Sequence, residues 1–274
     1  MCLYKHRYIL TPSEPKVDIS SPQLLFAETL ELSFFDHGSG RPYLLLHGGA
    51  GPQSMNGLAA ALQTSHRSIA PTHPGFDGKP RPDWFGRIND LALAYLALLE
   101  RLALQDVVIV GNSIGGWIAA EMALRNSPRI AGIVLLNACG IDTGSSAKQI
   151  VDPMKLSPAD RAALAFHDPA RYAIAPTSPA ALAQMAENQG TLRVYSGEHF
   201  MHDPSLYGRL SRMPVPSLVA WGESDGIVDV AYGQRFAGAM PYSRLELVPQ
   251  AGHFPHIEQL GKVVALIEAF ENRA

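Results

Sequence analysis

Short runs made only of apolar residues recur along this chain: Tyr43–Leu46, Val107–Val110, Ile133–Leu136 and Leu218–Trp221. Four residues are too few for a helix. The absence of polar alternation marks strands buried on both faces, the signature of a parallel sheet. Stretches at helical spacing lie between them. Met55–Leu62 predicts a short helix. Ile88–Leu102 predicts a longer one, with leucines and alanines in register and neither Pro nor Gly. A closing helix is expected over Ile257–Phe270, from the apolar positions Ile257, Leu260, Val263, Val264, Ile267 and Phe270. Strand–helix alternation requires right-handed crossovers, which place helices on both faces of the sheet. The fold class expected is therefore α/β with a mostly parallel central sheet.

Further strands are expected at Phe26–Leu30 and Leu32–Phe35, followed by a turn through Asp36–Gly40, and at Arg67–Ala70 and Arg244–Val248. The first 20 or so residues show no period and read as an arm or edge segment. The rhythm also breaks over residues 141–213, which contain helical fragments, several prolines and no good strand. We expect a core of residues 1–140 and 214–274, with 141–213 as a helical cap above the carboxyl edge of the sheet.

The 274 residues, 47% of them hydrophobic, suffice for one large core with a small insert. A formal net charge of -3 and the lack of a basic cluster argue against a nucleic-acid surface. The two cysteines, Cys2 and Cys139, cannot make a disulfide framework. No apolar run approaches a membrane span, and the N-terminal residues lack the apolar core of a secretory signal. A cytoplasmic protein acting on a small molecule, with no nucleic acid or membrane as partner, is the expectation. Oligomeric state is left open.

The chemistry gathers at strand ends. Val107–Val110 runs into Gly111-Asn112-Ser113-Ile114-Gly115-Gly116, and a helical pattern follows at once. A Gly-x-Ser-x-Gly turn at a strand–helix junction presents its serine on a strained backbone, with free helical N–H groups beside it. A serine needs a base, and the base needs an orienting carboxylate. His253, in Ala251-Gly252-His253-Phe254-Pro255-His256, follows the Arg244–Val248 strand. Asp225, in Trp221-Gly222-Glu223-Ser224-Asp225-Gly226, follows the Leu218 strand. Glu223 or Asp229 could serve instead of Asp225, which could simply cap the next helix, and His256 is the alternative base. Attack on an acyl carbon needs oxyanion donors, assigned to the N–H groups of Gly49 in His47-Gly48-Gly49-Ala50-Gly51 and of Ile114, with Ala50 as the substitute for Gly49. His47 is expected to pack locally. Phe76 and Trp84 either touch substrate or pack, and the His199, His202, Asp203 group is read as pocket lining, not as a metal site. No metal or organic cofactor is expected.

The segments "LLLHGGAG", "PTHPGFDGKP", "GNSIGG", "WGESDGIVD" and "AGHFPHIEQ", in this order, resemble the α/β-hydrolase superfamily over about residues 24–140 and 214–274. The resemblance implies the α/β-hydrolase fold, a triad at Ser113, Asp225 and His253, and ester or related acyl hydrolysis through an acyl-enzyme. Ser113 departs from epoxide hydrolases and haloalkane dehalogenases, which carry aspartate there. "GNSIGG" is similar to the elbow of the meta-cleavage-product hydrolases, which break carbon–carbon bonds, although Phe254 follows His253 where those enzymes usually carry a nearby tryptophan. Cofactor-free haloperoxidases share the triad as well. A ligand-binding protein on the same fold, as in plant hormone receptors of the superfamily, is the non-enzymatic alternative.

Overall fold

The computed structural model describes residues 19–26, 28–142, 144, 150–173 and 177–271. The strands are β1 (Ile19–Leu25), β2 (Leu30–His37), β3 (Pro42–Leu46), β4 (Arg67–Pro71), β5 (Val107–Asn112), β6 (Ile130–Leu136), β7 (Gly140–Ile141), β8 (His202–Asp203), β9 (Ser217–Gly222) and β10 (Ser243–Val248). The helices are α1 (Asn56–Leu62), α2 (Ile88–Arg101), α3 (Ile114–Leu124), α4 (Pro158–Ala165), α5 (Pro169–Tyr172), α6 (Pro179–Tyr195), α7 (Leu206–Arg209), α8 (Val230–Gly238), α9 (Pro255–Glu258) and α10 (Leu260–Glu271).

Eight strands form one sheet in the order β1-β2-β4-β3-β5-β6-β9-β10. β1–β2 and β2–β4 pair antiparallel, and every neighbour from β4 to β10 is parallel. The all-apolar runs occupy the middle of this sheet, where helices cover both faces. One cluster packs α2, α3 and α8 residues such as Leu91, Ile118 and Phe236 against Leu44, Ile109 and Val219. The other packs Leu58, Val263 and Ile267 of α1 and α10 against Leu45, Val108 and Leu218. Successive residues of β3 and β5 thus point into opposite cores, which is why both faces of these strands must be apolar.

From β3 the chain steps to β4 on one side, and then crosses to β5 on the other. The strand order reverses there, opening a crevice at the carboxyl ends of β3 and β5. α3 leaves β5 directly into this region, and residues 114–123 are all buried. A helix apolar on every side needs cover on every side. The sheet and α2 supply part of that cover.

The sequence expectations for β3 to β6, β9, β10 and α1 to α3 hold within a few residues. Three do not. The first hairpin lies earlier than expected: β1 ends at Leu25, and Phe26 (φ 51) and Glu28 (φ 66) make the turn, closed by Thr29 Oγ1 donating to Phe26 O at 2.6 Å. No Gly, Pro or Asn marks that turn, and the apolar Phe26 resembles strand. The closing helix is two helices, broken at Gln259 (φ −130, ψ 48). The 141–213 segment contributes to a small parallel pairing, β7 with β8, at Gly140↔His202 and Ile141↔Asp203. The expected arm falls largely outside the described residues.

The segment between β6 and β9 is fastened back to α3 near its end. Arg209 on α7 donates to both carboxylate oxygens of Glu121, at 2.6 and 3.0 Å, and also to Asp203 Oδ2 at 2.9 Å. Glu121 is 1% exposed and also accepts from Arg125. Removing one partner of a buried pair strands the other's charge. Arg209→Ala is expected to lower stability by on the order of 1–3 kcal/mol, discounted for the partial exposure of the arginine. Thermal unfolding of the variant beside Arg125→Ala checks it, and an unchanged Tm would deny the fastening.

Candidate active site

Ser113 stands between β5 and α3 at φ 56, ψ −118. Two glycines permit this conformation. A Cβ on Gly111 would collide with Gly115 O, and one on Gly115 would collide with Leu46 O. The turn is therefore compact enough to seat α3 against the end of β3. Backbone bonds lock it: Ser113 N–H donates to Leu136 O at 3.0 Å, and Ser113 O accepts from Gly116, Trp117 and Cys139 N–H at 3.0, 3.3 and 3.2 Å. A non-glycine residue held in such a region costs on the order of 1–3 kcal/mol, sustained by the surrounding bonds.

His253 lies in the loop after β10. Its Nδ1 is 2.8 Å from Asp225 Oδ2, and both residues are buried. A carboxylate only accepts, so Nδ1 carries a proton, and the tautomer this selects for the neutral ring has its lone pair on Nε2. Asp225 accepts three further bonds: Oδ1 from Ile227 and Val228 N–H at 2.8 and 3.0 Å, and Oδ2 from Asn137 Nδ2 at 2.6 Å. Among the alternative acids, Asp229 caps α8 by accepting from Tyr232 N–H, and Glu223 is exposed.

Asn112 joins the histidine loop to the serine turn. Its Nδ2 donates to His253 O and to Leu136 O, each at 3.0 Å. His253 is thereby tied to the residue preceding Ser113. Ser113 and His253 share no direct hydrogen bond in this structure; the serine side chain instead interacts with the buried Cys139 thiol, whose pKa burial pushes up to about 12 against the opposing effect of that contact. Serine–histidine contacts in unliganded sites are often long and tighten on binding.

The Gly49 N–H group donates to no protein acceptor among the described residues. Ile114 begins α3, where the first-turn N–H groups have no helical partner. Leu192 of α6 covers Gly49: a Cβ there would lie 2.5 Å from Leu192 Cδ2. One face of α6 is docked beside it. Asn188 accepts from Asp77 N–H and donates to Asp77 Oδ1, both at 2.8 Å; Thr191 donates to Gly75 O at 2.7 Å, and Tyr195 to Pro74 O at 2.8 Å. These positions follow helical spacing on a single face.

The segment also supports the loops bearing Asp225 and His253. Gly226 N–H donates to Leu164 O at 2.9 Å and His253 N–H to Ala165 O at 2.7 Å. The buried Glu258 carboxylate accepts from Gly252 N–H at 2.6 Å and from His167 and Asp168 N–H at 3.0 Å. Sequence reasoning took Asn112 only as part of the elbow's resemblance and gave Glu258 no role, although both sit inside the quoted motifs. Asn137, Cys139 and Leu192 carry no local signal, because their partners are remote in sequence.

Three other histidines, His47, His73 and His256, are buried. His47 Nδ1 donates to Gly48 O at 2.7 Å, and its Nε2 accepts from His73 N–H at 3.0 Å. His73 Nε2 donates to His47 O at 2.9 Å, so its Nδ1 accepts from Tyr95 Oη. Burial lowers the His47 pKa to about 4, and moves His73 well below its ordinary value. His256, 1% exposed, has no geometrically good partner for either ring nitrogen, and burial lowers its pKa to about 3. It is a neutral packing group, as is His47. Phe76 is fully buried and stacks on Tyr195, whereas Trp84 is 56% exposed. His199, His202 and Asp203 lie apart from Ser113, around a cavity of about 300 Å³ shared with Trp117 and Glu121.

The alpha/beta hydrolase family model matches residues 43–266, and the chain belongs to this family. A 2-hydroxymuconate semialdehyde hydrolase of Pseudomonas putida is 27% identical over 91% of this chain and 95% of its own. The fold is similar to that of a meta-cleavage product hydrolase from Pseudomonas fluorescens, at TM-score 0.76 and 21% identity, covering 93% and 98% of the two chains. It is similar also to a thermophilic esterase from Thermogutta terrifontis, at TM-score 0.70 and 22% identity, covering 89% and 93%. Among the described residues no helix is long and apolar enough to cross a membrane.

The depressed histidines imply a stability that depends on pH. Their unfolded values lie near 6.5, so below that pH the unfolded chain binds more protons than the native one. Stability is fully present above about pH 6.5 and is lost as pH falls toward 4, by on the order of several kcal/mol for the set. His256→Leu is expected to flatten this slope in urea unfolding at pH 7 and pH 5. An equal slope in the variant would contradict the buried, neutral state of His256.

Proposed function

We propose that this protein hydrolyses a carboxylic ester or related acyl bond, with Ser113 as nucleophile, His253 as base and Asp225 as the group that orients it. The observation that carries the reading is a serine on a strained elbow, joined through its neighbour Asn112 to the loop of an imidazole whose Nδ1–H is bound by a buried carboxylate. His253 Nε2 takes the Ser113 proton as Oγ attacks the carbonyl carbon. The Gly49 and Ile114 N–H groups stabilise the tetrahedral oxyanion, each worth on the order of 3 kcal/mol of barrier. The imidazolium, held by Asp225, protonates the leaving group. His253 then activates water against the acyl-enzyme. No step requires a metal or organic cofactor. Residues 141–213 act as the cap, and Leu192 over Gly49 limits the bulk of the acyl group.

A second reading, hydrolysis of a carbon–carbon bond in a vinylogous diketone acid, is favoured by the similarity to the Pseudomonas putida hydrolase along nearly the whole chain. Both readings use the same serine and histidine. They differ in the substrate turned over fastest.

A panel of p-nitrophenyl esters, run beside a vinylogous diketone acid, separates them. Ester turnover is expected to exceed that of the diketone, and Ser113→Ala to lose on the order of 10³-fold or more of it. Faster diketone turnover would replace the first reading by the second, and unchanged turnover in Ser113→Ala would remove both. Leu192→Ala is expected to raise kcat/KM for hexanoyl relative to acetyl esters by on the order of tenfold. A constant ratio would show that Leu192 does not limit the acyl group.

A further inference from the structure

We propose that Asn137 is a positioning residue for the acid–base pair, fixing the Asp225 carboxylate and moderating the charge it presents to His253. The proposal rests on the reading of Ser113, His253 and Asp225 given above.

Asn137 is the first residue after β6, at φ 46, a left-handed conformation that asparagine tolerates better than most residues. Its N–H donates to Ala220 O at 3.2 Å, joining the ends of β6 and β9. The side chain is fully buried and engaged at both ends. Gly222 N–H reaches one amide atom at 3.1 Å, and Asp225 Oδ2 lies 2.6 Å from the other. The first contact requires an acceptor and the second a donor, so the amide has a single consistent orientation. It clasps the start of the Asp225 loop with its oxygen, and the carboxylate itself with its nitrogen.

With this bond the carboxylate receives four donors, two on each oxygen. Oδ2 divides its charge between His253 and Asn137. Without Asn137 more of that charge falls on the imidazole, favouring its protonated form. The carboxylate also becomes free to turn. Other titratable groups around the pair are neutral His256, Glu258 on the Gly252, His167 and Asp168 N–H groups, His167 at Ser224 Oγ, and the Cys139 thiol beside Ser113. None of them is hydrogen-bonded to Asp225 Oδ2.

Two variants at this position divide the roles of the amide. Asn137→Asp keeps the size, the tolerance of positive φ and an acceptor for Gly222 N–H, but sets a second carboxylate against Asp225. Asn137→Gly keeps the backbone and removes the amide. In full-length protein, the acid limb of kcat/KM against pH is expected to move upward in both, by about one unit in Asn137→Asp and on the order of half a unit in Asn137→Gly. The loss should fall on kcat more than on KM. A limb that stays in place in whichever variant folds, while Tm and total activity fall together, would make Asn137 merely structural and overturn the proposal. Full activity in Ser113→Ala would instead overturn the triad reading, and this proposal with it. That outcome is read without any change at residue 137.

Discussion

The left-handed Ser113 is the constraint on which the rest of the site depends. β3 and β5 are adjacent and parallel, and α3 must turn back from β5 without room for a loop. Gly111 and Gly115 remove the side chains that would block that reversal. The serine between them has no relaxed alternative while α3 stays buried. The strain is held by the sheet, since Leu136 of β6 accepts from the Ser113 N–H group. The position of the hydroxyl is thus set by the core, not by the flexibility of a turn.

The segment between β6 and β9 is part of the site's support as well as its cover. Its 164–168 stretch binds the backbone beside Asp225 and His253, and Glu258 reinforces the second contact through Gly252. On the other side α6 grips the loop after β4 and lays Leu192 on Gly49. Displacing this segment would expose Gly49 and also loosen the two loops that bear Asp225 and His253. Cover over Gly49 and alignment of the Asp225 and His253 loops therefore draw on the same segment.

Much of the site's polarity is spent on keeping neutral groups in place. His47 and His73 bond to each other's backbone in fixed tautomers, which stiffens the loop bearing Gly48 and Gly49 against the start of the β4 exit. Protonating either one would place a charge in a fully buried position without a carboxylate partner. The Asp225–His253 pair differs, because there a buried carboxylate faces the imidazole.

The sequence by itself determined the mostly parallel sheet, the segments that form its central strands and the positions of Ser113, Asp225 and His253 after strand ends, whereas the order of the strands in the sheet came only with the structure. Apolar runs, helical periodicity and glycine spacing are local consequences of backbone geometry, so they can be read from a few neighbouring residues. The early hairpin escaped because its turn uses Phe26 and Glu28, which carry no turn signal, and the break at Gln259 escaped because the apolar period runs across it. Only the tertiary structure decided that Asn137 binds Asp225, that Asn112 joins the serine turn to the histidine loop, and that Leu192 covers Gly49. These are contacts between residues 88, 141 and 143 positions apart, or nearly so, in a chain whose local pattern says nothing about which remote groups will meet. Their partners are fixed by how the sheet twists and where the inserted segment docks, and that is settled by packing of the whole core.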